Sequence, residues 1–251
     1  MYTISIVNQK GGVGKTATAN ALGYGLAKAG KRVLLVDMDA QQSLTITTVS
    51  AIRKHNIYDV LTGNAKPEQA IISVCGGLDI IPASERLAGI DRLVNSRTAL
   101  QRALEPLQGN YDYCIIDCPI VANALVLLPL LASNGIVIPA QADALSYIAL
   151  NQVISTVAEV RKNNHSLCVL GILLTMYNPR ATINRNCKVL FEQMAREIGT
   201  RVFDVPIRRS VSIQEAQARK QSIFDYAGKS AVAEDYRRFT ADVLSIVESE
   251  D

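Results

Sequence analysis

The segment at residues 8–16, Asn-Gln-Lys-Gly-Gly-Val-Gly-Lys-Thr, limits the possible folds of this chain more than any other feature. It lies between an apolar run at residues 2–7, which predicts a strand, and a helical pattern over residues 16–29 that Gly30 ends. Glycines let the backbone approach a ligand closely, and N–H groups at the start of a helix attract anions. Strand, glycine-rich loop and helix in this order indicate a phosphate-binding loop.

Several residue types in this loop have a chemical use in binding a nucleotide. Lys15 would supply a cation to the phosphate oxygens, and the Thr16 hydroxyl can bind Mg²⁺. Gln9 stands where the usual pattern has glycine, and a second lysine, Lys10, opens the glycine-rich run. A glycine-rich turn with coincidental lysines is the alternative, and the flanking strand and helix disfavour it. The predicted nucleotide-binding loop comprises Lys10, Gly11, Gly12, Val13, Gly14, Lys15, Thr16 and Ala17.

Carboxylates end two of the predicted strands. Asp37 and Asp39 follow the second strand two positions apart, so they point to the same side of an extended segment. Asp117 ends the apolar run at residues 113–116, in the form of a Walker B aspartate that helps to hold Mg²⁺. Because ligands bind at the carboxyl ends of parallel strands, we expect these acids near Thr16. Asp117 alone could equally be a turn residue, and the phosphate loop favours the functional interpretation.

Short apolar runs alternate with helical patterns along the whole chain. The runs lack strict alternation, which is typical of a parallel sheet covered by helices on both faces. We therefore predict a doubly wound α/β fold of the P-loop NTPase type, as one domain over residues 1–251. Further strands are predicted at residues 32–36, 78–81, 135–139 and 168–174, and helices at 85–104, 145–161, 183–198 and 232–247.

The composition disfavours several protein classes. No apolar run reaches the roughly 18 residues that span a bilayer, and the N-terminus lacks the pattern of a secretory signal. The five cysteines are odd in number and scattered, which favours a cytoplasmic protein with reduced thiols. The net charge of +3 permits binding to nucleic acid without arguing for it, so any basic patch must be local.

These residues resemble the ParA/Soj group of deviant Walker ATPases, over nearly the whole chain. The resemblance implies an ATPase that uses ATP and Mg²⁺, dimerises with ATP and binds double-stranded DNA without sequence preference. It further implies a ParB-like centromere-binding or adaptor partner, a nucleoid-associated location, and a role in positioning plasmid, chromosomal or integrated-element DNA. Besides the phosphate loop, the similar segments are residues 33–42, 57–63, 78–83, 111–117, 171–177 and 207–216.

The resemblance also implies roles for particular residues. Lys10 would reach across a dimer interface and neutralise charge on the partner's nucleotide, and Asp39 would orient the attacking water. Thr16, Asp37 and Asp117 would surround Mg²⁺, with Asp37 behind the inner shell. A solvated lysine at the mouth of the loop is the alternative for Lys10.

The contacts with the nucleotide base and the loop after the second strand complete the predicted site. Met176 and Pro206 are the candidates for contacts with the nucleotide base, and core or turn packing explains either as well. The family often has proline where Ala40 stands and glycine where Gln42 stands. Neither departure removes a charged group, but both bear on the geometry of the loop that positions water.

Residues 180–220 carry nine basic and four acidic residues, a local charge of +5. Phosphate contacts from such a patch would give salt-sensitive DNA affinity. A solvated helix face explains the pattern equally well, and the resemblance favours DNA. The predicted DNA contacts are Arg180, Arg185, Lys188, Arg208, Arg209, Arg219 and Lys220.

Two other functions share this fold. MinD-like cycling on a membrane would need a basic amphipathic helix at the C-terminus. Residues 248–251 carry three acids instead, which an anionic bilayer repels, so no membrane partner is expected. A metabolic P-loop ligase of the dethiobiotin-synthetase type would give no reason for Lys10.

Overall fold

The computed structural model describes residues 1–51, 54–92, 96–120 and 124–249. Its central sheet contains β1 (Tyr2–Ile6), β2 (Val33–Asp37), β3 (Ile72–Cys75), β4 (Leu78–Ile81), β5 (Tyr113–Asp117), β6 (Gly135–Gln141) and β7 (Cys168–Thr175). The spatial order is β3-β4-β2-β5-β1-β6-β7. Neighbouring strands are parallel except β3 and β4. The predicted doubly wound, mostly parallel sheet is confirmed, and the short antiparallel edge strand β3 was not predicted.

Helices cover both faces of this sheet. Within the described ranges, none has the length and apolar character that crossing a membrane requires. The α-helices are α1 (Lys15–Lys28), α2 (Ser43–Thr48), α3 (Ile57–Leu61), α4 (Pro67–Ala70), α5 (Ala99–Leu104), α6 (Ala124–Ala132), α7 (Ala144–Val160), α8 (Thr182–Glu197), α9 (Val211–Ala218), α10 (Ile223–Tyr226) and α11 (Ala231–Glu248).

Two hydrophobic cores lie on opposite faces of the sheet. Along β2, Leu34 and Val36 pack in the core under α5 to α8, whereas Val33 and Leu35 pack in the core under α1 and α11. Successive side chains of a strand point to opposite faces, and here both faces are buried. This double burial explains why the strands read as continuous apolar runs.

The prediction of one helix over residues 85–104 is wrong. A 3-10 helix occupies Glu85–Arg92, and α5 forms only at Ala99–Leu104. Residues 93–95 lie outside the described ranges. Leu87 and Ile90 are both buried, and their spacing of three places them on one side of a 3-10 helix. Tertiary packing therefore prevails over the helical pattern in this segment.

Helix α1, which follows the phosphate loop, packs closely against α11 at Gly25. A β-carbon at Gly25 would collide with the Thr240 side chain, whose hydroxyl donates to the Tyr236 carbonyl at 2.8 Å. The orientation of α1 thus depends on a position where a side chain has no room.

We expect Gly25→Ala to lower the free energy of unfolding. Overpacking costs about 1–3 kcal/mol, which outweighs the gain in helix propensity of about 1 kcal/mol or less. Urea denaturation measures the change. Gly76→Ala is the matched control, because no atom lies within 4 Å of a β-carbon there. Equal stability of the two variants would contradict the packing argument.

Candidate nucleotide site

A cleft of about 650 Å³ opens at the carboxyl edge of the sheet. Its walls come from the glycine-rich loop, the loop after β2, the end of β7 and the start of α9. The volume suits a small-molecule ligand. The predicted functional residues that line the cleft are Gly12, Gly14, Lys15, Thr16, Ala17, Asp39, Met176, Arg208 and Arg209.

The glycine-rich loop is shaped by its glycines and anchored by two neighbouring strands. Gly12 and Gly14 have φ angles of 72° and 86°, in the left-handed region that glycine adopts without steric cost. The Thr175 hydroxyl donates to the Val13 carbonyl at 2.8 Å, and the Gln141 amide donates to the Gly12 carbonyl at 3.0 Å. The ends of β6 and β7 therefore fix the loop before any ligand binds.

Lys15 lies at the floor of the cleft and is only 7% exposed. Its ammonium donates to the Lys10 carbonyl at 3.3 Å. Burial lowers the pKa of Lys15, and the negative charges of Asp117 and Asp39 oppose that shift. An anionic ligand would stabilise the charged form of this poorly solvated ammonium.

Asp37 and Asp117 lie side by side, because β2 and β5 pair in parallel with these residues in register. Both are buried, and neither oxygen of Asp117 has a hydrogen-bond partner among the described residues. Burial raises the pKa of Asp37 to about 6. Burial and the charge of Asp37 raise the pKa of Asp117 well above its usual range, and Thr16 and Lys15 oppose this only in part.

These oxygens fit Mg²⁺, which prefers one or two carboxylates together with phosphate oxygens. Asp117, with its unbonded oxygens, and the Thr16 hydroxyl are the groups that would hold the ion. Asp37 already accepts bonds from the Thr45 backbone and hydroxyl and from the Asp39 backbone. It would therefore lie behind the ligands of the ion and not bind the ion directly. The bound ion would supply positive charge beside the phosphates.

Thr45 is a site residue that the sequence analysis missed. Its hydroxyl donates to Asp37 at 2.7 Å and accepts from the Ala83 N–H at 2.9 Å, and it is completely buried. Asp37 in turn accepts the Asp39 N–H at 3.1 Å, and Asp39 accepts the Gln41 N–H at 2.9 Å. This chain of bonds holds the loop after β2 against the end of β4. A hydroxyl shortly after an acidic strand end is the only sequence signal for it.

Gln42 closes the turn after Asp39, with its N–H donating to the Asp39 carbonyl at 2.8 Å. Its φ of 58° is left-handed, which costs roughly 1–2 kcal/mol for a residue other than glycine. Gln42, which stands where the family often has glycine, therefore keeps the tight turn but strains the backbone locally.

Lys10 points away from its own cleft. Its ammonium donates to the Asp143 carboxylate at 2.7 Å and to the Ser146 hydroxyl at 3.0 Å. Asp143 caps the start of α7 by accepting the Ser146 N–H at 2.8 Å. Partial burial would raise the pKa of Asp143, but Lys10 and the Ser146 N–H outweigh it and lower that pKa. Asp143 and Ser146 were not predicted, although Asp is a favoured residue at the position just before a helix.

The two candidates for base contacts have different positions. Met176 lines the cleft with a left-handed φ of 50°, and the Gln141 amide lies 3.2 Å from its sulfur. Pro206 is half-buried and does not line the cleft, whereas its neighbour Ile207 does. Both residues remain predictions for base contacts.

The seven predicted DNA residues do not form one patch of free charges. Arg208 and Arg209 line the cleft, and Arg208 pairs with Asp235. Lys188 pairs with Glu192 at 3.6 Å, and the Lys220 ammonium donates to the Val49 carbonyl at 3.0 Å. Within the described ranges, the four that have neither a carboxylate partner nor a bond to a distant carbonyl are Arg180, Arg185, Arg209 and Arg219.

We expect Thr45→Val to lower kcat for nucleotide hydrolysis about tenfold or more, with a smaller change in KM. Leaving a buried carboxylate without its donor costs about 1–3 kcal/mol, and about 1.4 kcal/mol corresponds to tenfold in rate. Steady-state kinetics and a melting curve measure the effect. Thr45→Ser keeps the hydroxyl and should retain most of the activity. Equal kcat values for the two variants would exclude the hydroxyl from this role.

Comparisons with known proteins agree with this geometry. The AAA domain family matches residues 1–169. The sporulation initiation inhibitor protein Soj of Bacillus subtilis is 37% identical over 250 residues, which cover 96% of this chain and 98% of that protein. The chromosome partitioning protein ParA of Caulobacter vibrioides is 34% identical over 259 residues, covering 98% and 94%.

A similar solved structure contains a nucleotide. It is described as cobyrinic acid a,c-diamide synthase from Mycobacterium smegmatis with bound ADP and magnesium, and it has a TM-score of 0.85 at 32% identity. The similarity covers 100% of this chain and 97% of that one. Together with the glycine-rich loop and the paired acids, these matches show that the chain belongs to the AAA domain family and, within it, to the ParA/Soj partition ATPases.

Proposed function

We propose that ATP and Mg²⁺, bound at the glycine-rich loop, join two copies of this partition ATPase across the carboxyl edge of the sheet. The observation that carries the proposal is the position of Lys10, which bonds Asp143 outside its own cleft. A lysine in this position is available to neutralise charge on the nucleotide of a second copy. Lys10 must then leave Asp143, so the triphosphate competes with that carboxylate for the ammonium.

Several exposed apolar side chains lie at the same edge of the sheet as the cleft, as an interface with a second copy requires. Leu145, Ile148, Ile183 and Val211 are 59–67% exposed, and Ile120 is 40% exposed. They lie on loops and helices at the carboxyl edge of the sheet, and clusters of this kind mark interaction sites. Ile120 and Val211 line the cleft itself, so a second copy covering the nucleotide would bury them.

We expect an Asp39→Ala variant, which would trap ATP, to sediment as a dimer with ATP and Mg²⁺ and as a monomer with ADP. A monomer at saturating ATP would contradict the proposal. Lys10→Ala should retain nucleotide binding and lose turnover, because its ammonium lies outside its own cleft. Lys15→Ala should instead weaken binding itself, and this contrast is the matched control.

The ATP dimer would bind double-stranded DNA without sequence preference, through Arg180, Arg185 and Arg219. Each subunit offers only a few phosphate contacts, which are weak at cellular salt. Two patches on one duplex raise the effective concentration, so dimerisation controls the affinity. A ParB-like partner that triggers hydrolysis would release the protein from the nucleoid. The resulting depletion would give plasmid, chromosomal or integrated-element DNA a gradient to follow.

We expect DNA retention to require ATP and to fall steeply with salt concentration. Replacing Arg180 and Arg219 with Gln should weaken retention and flatten the salt slope, while dimerisation with ATP remains. Lys66→Gln, an exposed lysine in the loop before α4, is the control and should bind like the wild type. Equal affinity with ATP and ADP would reject the switch, and an unchanged slope would place the DNA surface elsewhere.

A second candidate is a biosynthetic enzyme, since the Mycobacterium smegmatis structure is described as a diamide synthase. The rate of ATP hydrolysis by the isolated protein separates the two functions. A partner-stimulated switch should turn over well below the roughly 10 s⁻¹ typical of enzymes. Fast turnover without DNA or a partner would favour the biosynthetic enzyme.

A further inference from the structure

Arg208 and Asp235 bond each other through three contacts. The Arg208 N–H donates to Asp235 Oδ2 at 3.1 Å, Nε donates to the same oxygen at 2.7 Å, and one terminal nitrogen donates to Oδ1 at 2.8 Å. The Asp235 side chain is 6% exposed. A fork of two parallel bonds to a carboxylate fixes geometry as well as charge. Removing one partner would leave a buried charge uncompensated.

These bonds fix a segment that forms one wall of the cleft. Residues 207–211 line the cleft, and Asp235 belongs to α11, whose next residue, Tyr236, also lines it. On one side of Arg208, the Ile207 N–H donates to the Leu174 carbonyl at 2.8 Å. The Tyr177 N–H donates to the Ile207 carbonyl at 3.0 Å, and Tyr177 pairs with Arg208 in a parallel bridge. The backbone therefore ties this segment to the chain just after β7, and the Arg208 fork adds a side-chain tie to α11.

The wall faces the part of a nucleotide that lies beyond the phosphates. Phosphates bound at the glycine-rich loop would take one end of the cleft, and the ribose and base would then extend toward the remaining lining. The Met176 sulfur lies there, 3.2 Å from the Gln141 amide and 3.9 Å from a terminal nitrogen of Arg209. Gln141 also bonds the Gly12 carbonyl, so the wall and the phosphate loop share a contact.

We propose that Arg208 is a positioning residue for this wall, acting through Asp235, and that it contributes to nucleotide affinity rather than to DNA contacts. The inference rests on the nucleotide site alone and does not depend on DNA binding. Lysine can replace the charge of Arg208 but cannot reproduce the planar fork. Arg208→Lys therefore separates a geometric role from an electrostatic role toward DNA.

The experiment compares Arg208→Lys and Asp235→Asn with a matched pair at the amino edge of the sheet. Arg32 bonds Asp112 through its N–H at 2.7 Å and its guanidinium at 2.8 Å, so Arg32→Lys and Asp112→Asn remove a similar fork far from the cleft. Calorimetry with Mg²⁺ measures the Kd for a non-hydrolysable ATP analogue and for inorganic tripolyphosphate, which reaches only the phosphate loop. Melting curves test whether each variant is folded, and DNA retention at saturating nucleotide tests whether Arg208 contacts DNA.

We expect both cleft variants to bind the ATP analogue about tenfold more weakly and tripolyphosphate within about twofold of the wild type. The control variants should bind both ligands like the wild type, and Arg208→Lys should retain DNA as the wild type does. Unchanged affinity for the analogue, or equal losses for both ligands, would overturn the proposal. Loss of DNA retention with intact nucleotide affinity would also overturn it. Failure of the wild type to bind DNA would reject the proposed switch and leave this inference standing.

Discussion

Two carboxylates in register on adjacent buried strands are the constraint on which the site depends. Asp37 and Asp117 lie next to each other between two hydrophobic cores, and Lys15 is the cation closest to them in the cleft floor. Buried like charges without full compensation are costly. A divalent cation held by Asp117 and Thr16, together with phosphates beside Lys15, would restore the charge balance.

Two separate sets of contacts connect to this charge pair and to Lys15. Asp37 accepts bonds from the Thr45 hydroxyl and the Asp39 N–H, so the loop that carries Asp39 is tied directly to the charge pair. Lys10, whose carbonyl accepts a bond from Lys15, is held by Asp143 at the start of α7, outside the cleft lining. Under the proposed function, a nucleotide would act on the loop after β2 through the hydrogen bonds of Asp37, and on the Lys10–Asp143 pair by competition for the ammonium.

Structural features that depend on a few neighbouring residues could be predicted from the sequence. Features that depend on packing between distant residues could not. Glycine spacing and acids at strand ends are visible within a few residues, so the phosphate loop and Asp117 could be predicted. The 3-10 helix at Glu85–Arg92 follows from burial against neighbouring elements, which no helical pattern reports. The partners Arg208 and Asp235 lie 27 positions apart, and only the docking of α11 brings them together. A count of basic residues likewise cannot tell a free arginine from one already paired.

Helix α11 connects the two ends of the nucleotide cleft. Thr240 packs against Gly25 of α1, the helix behind the phosphates, while Asp235 holds Arg208 in the opposite wall. Tyr236 lines the cleft between these contacts. Because these residues occupy little more than one turn, a shift of α11 would move the support of both ends together. Helix α11, whose sequence carries no nucleotide-binding motif, therefore supports both ends of the cleft together with β7, which bonds the phosphate loop through Thr175 and the far wall through Leu174.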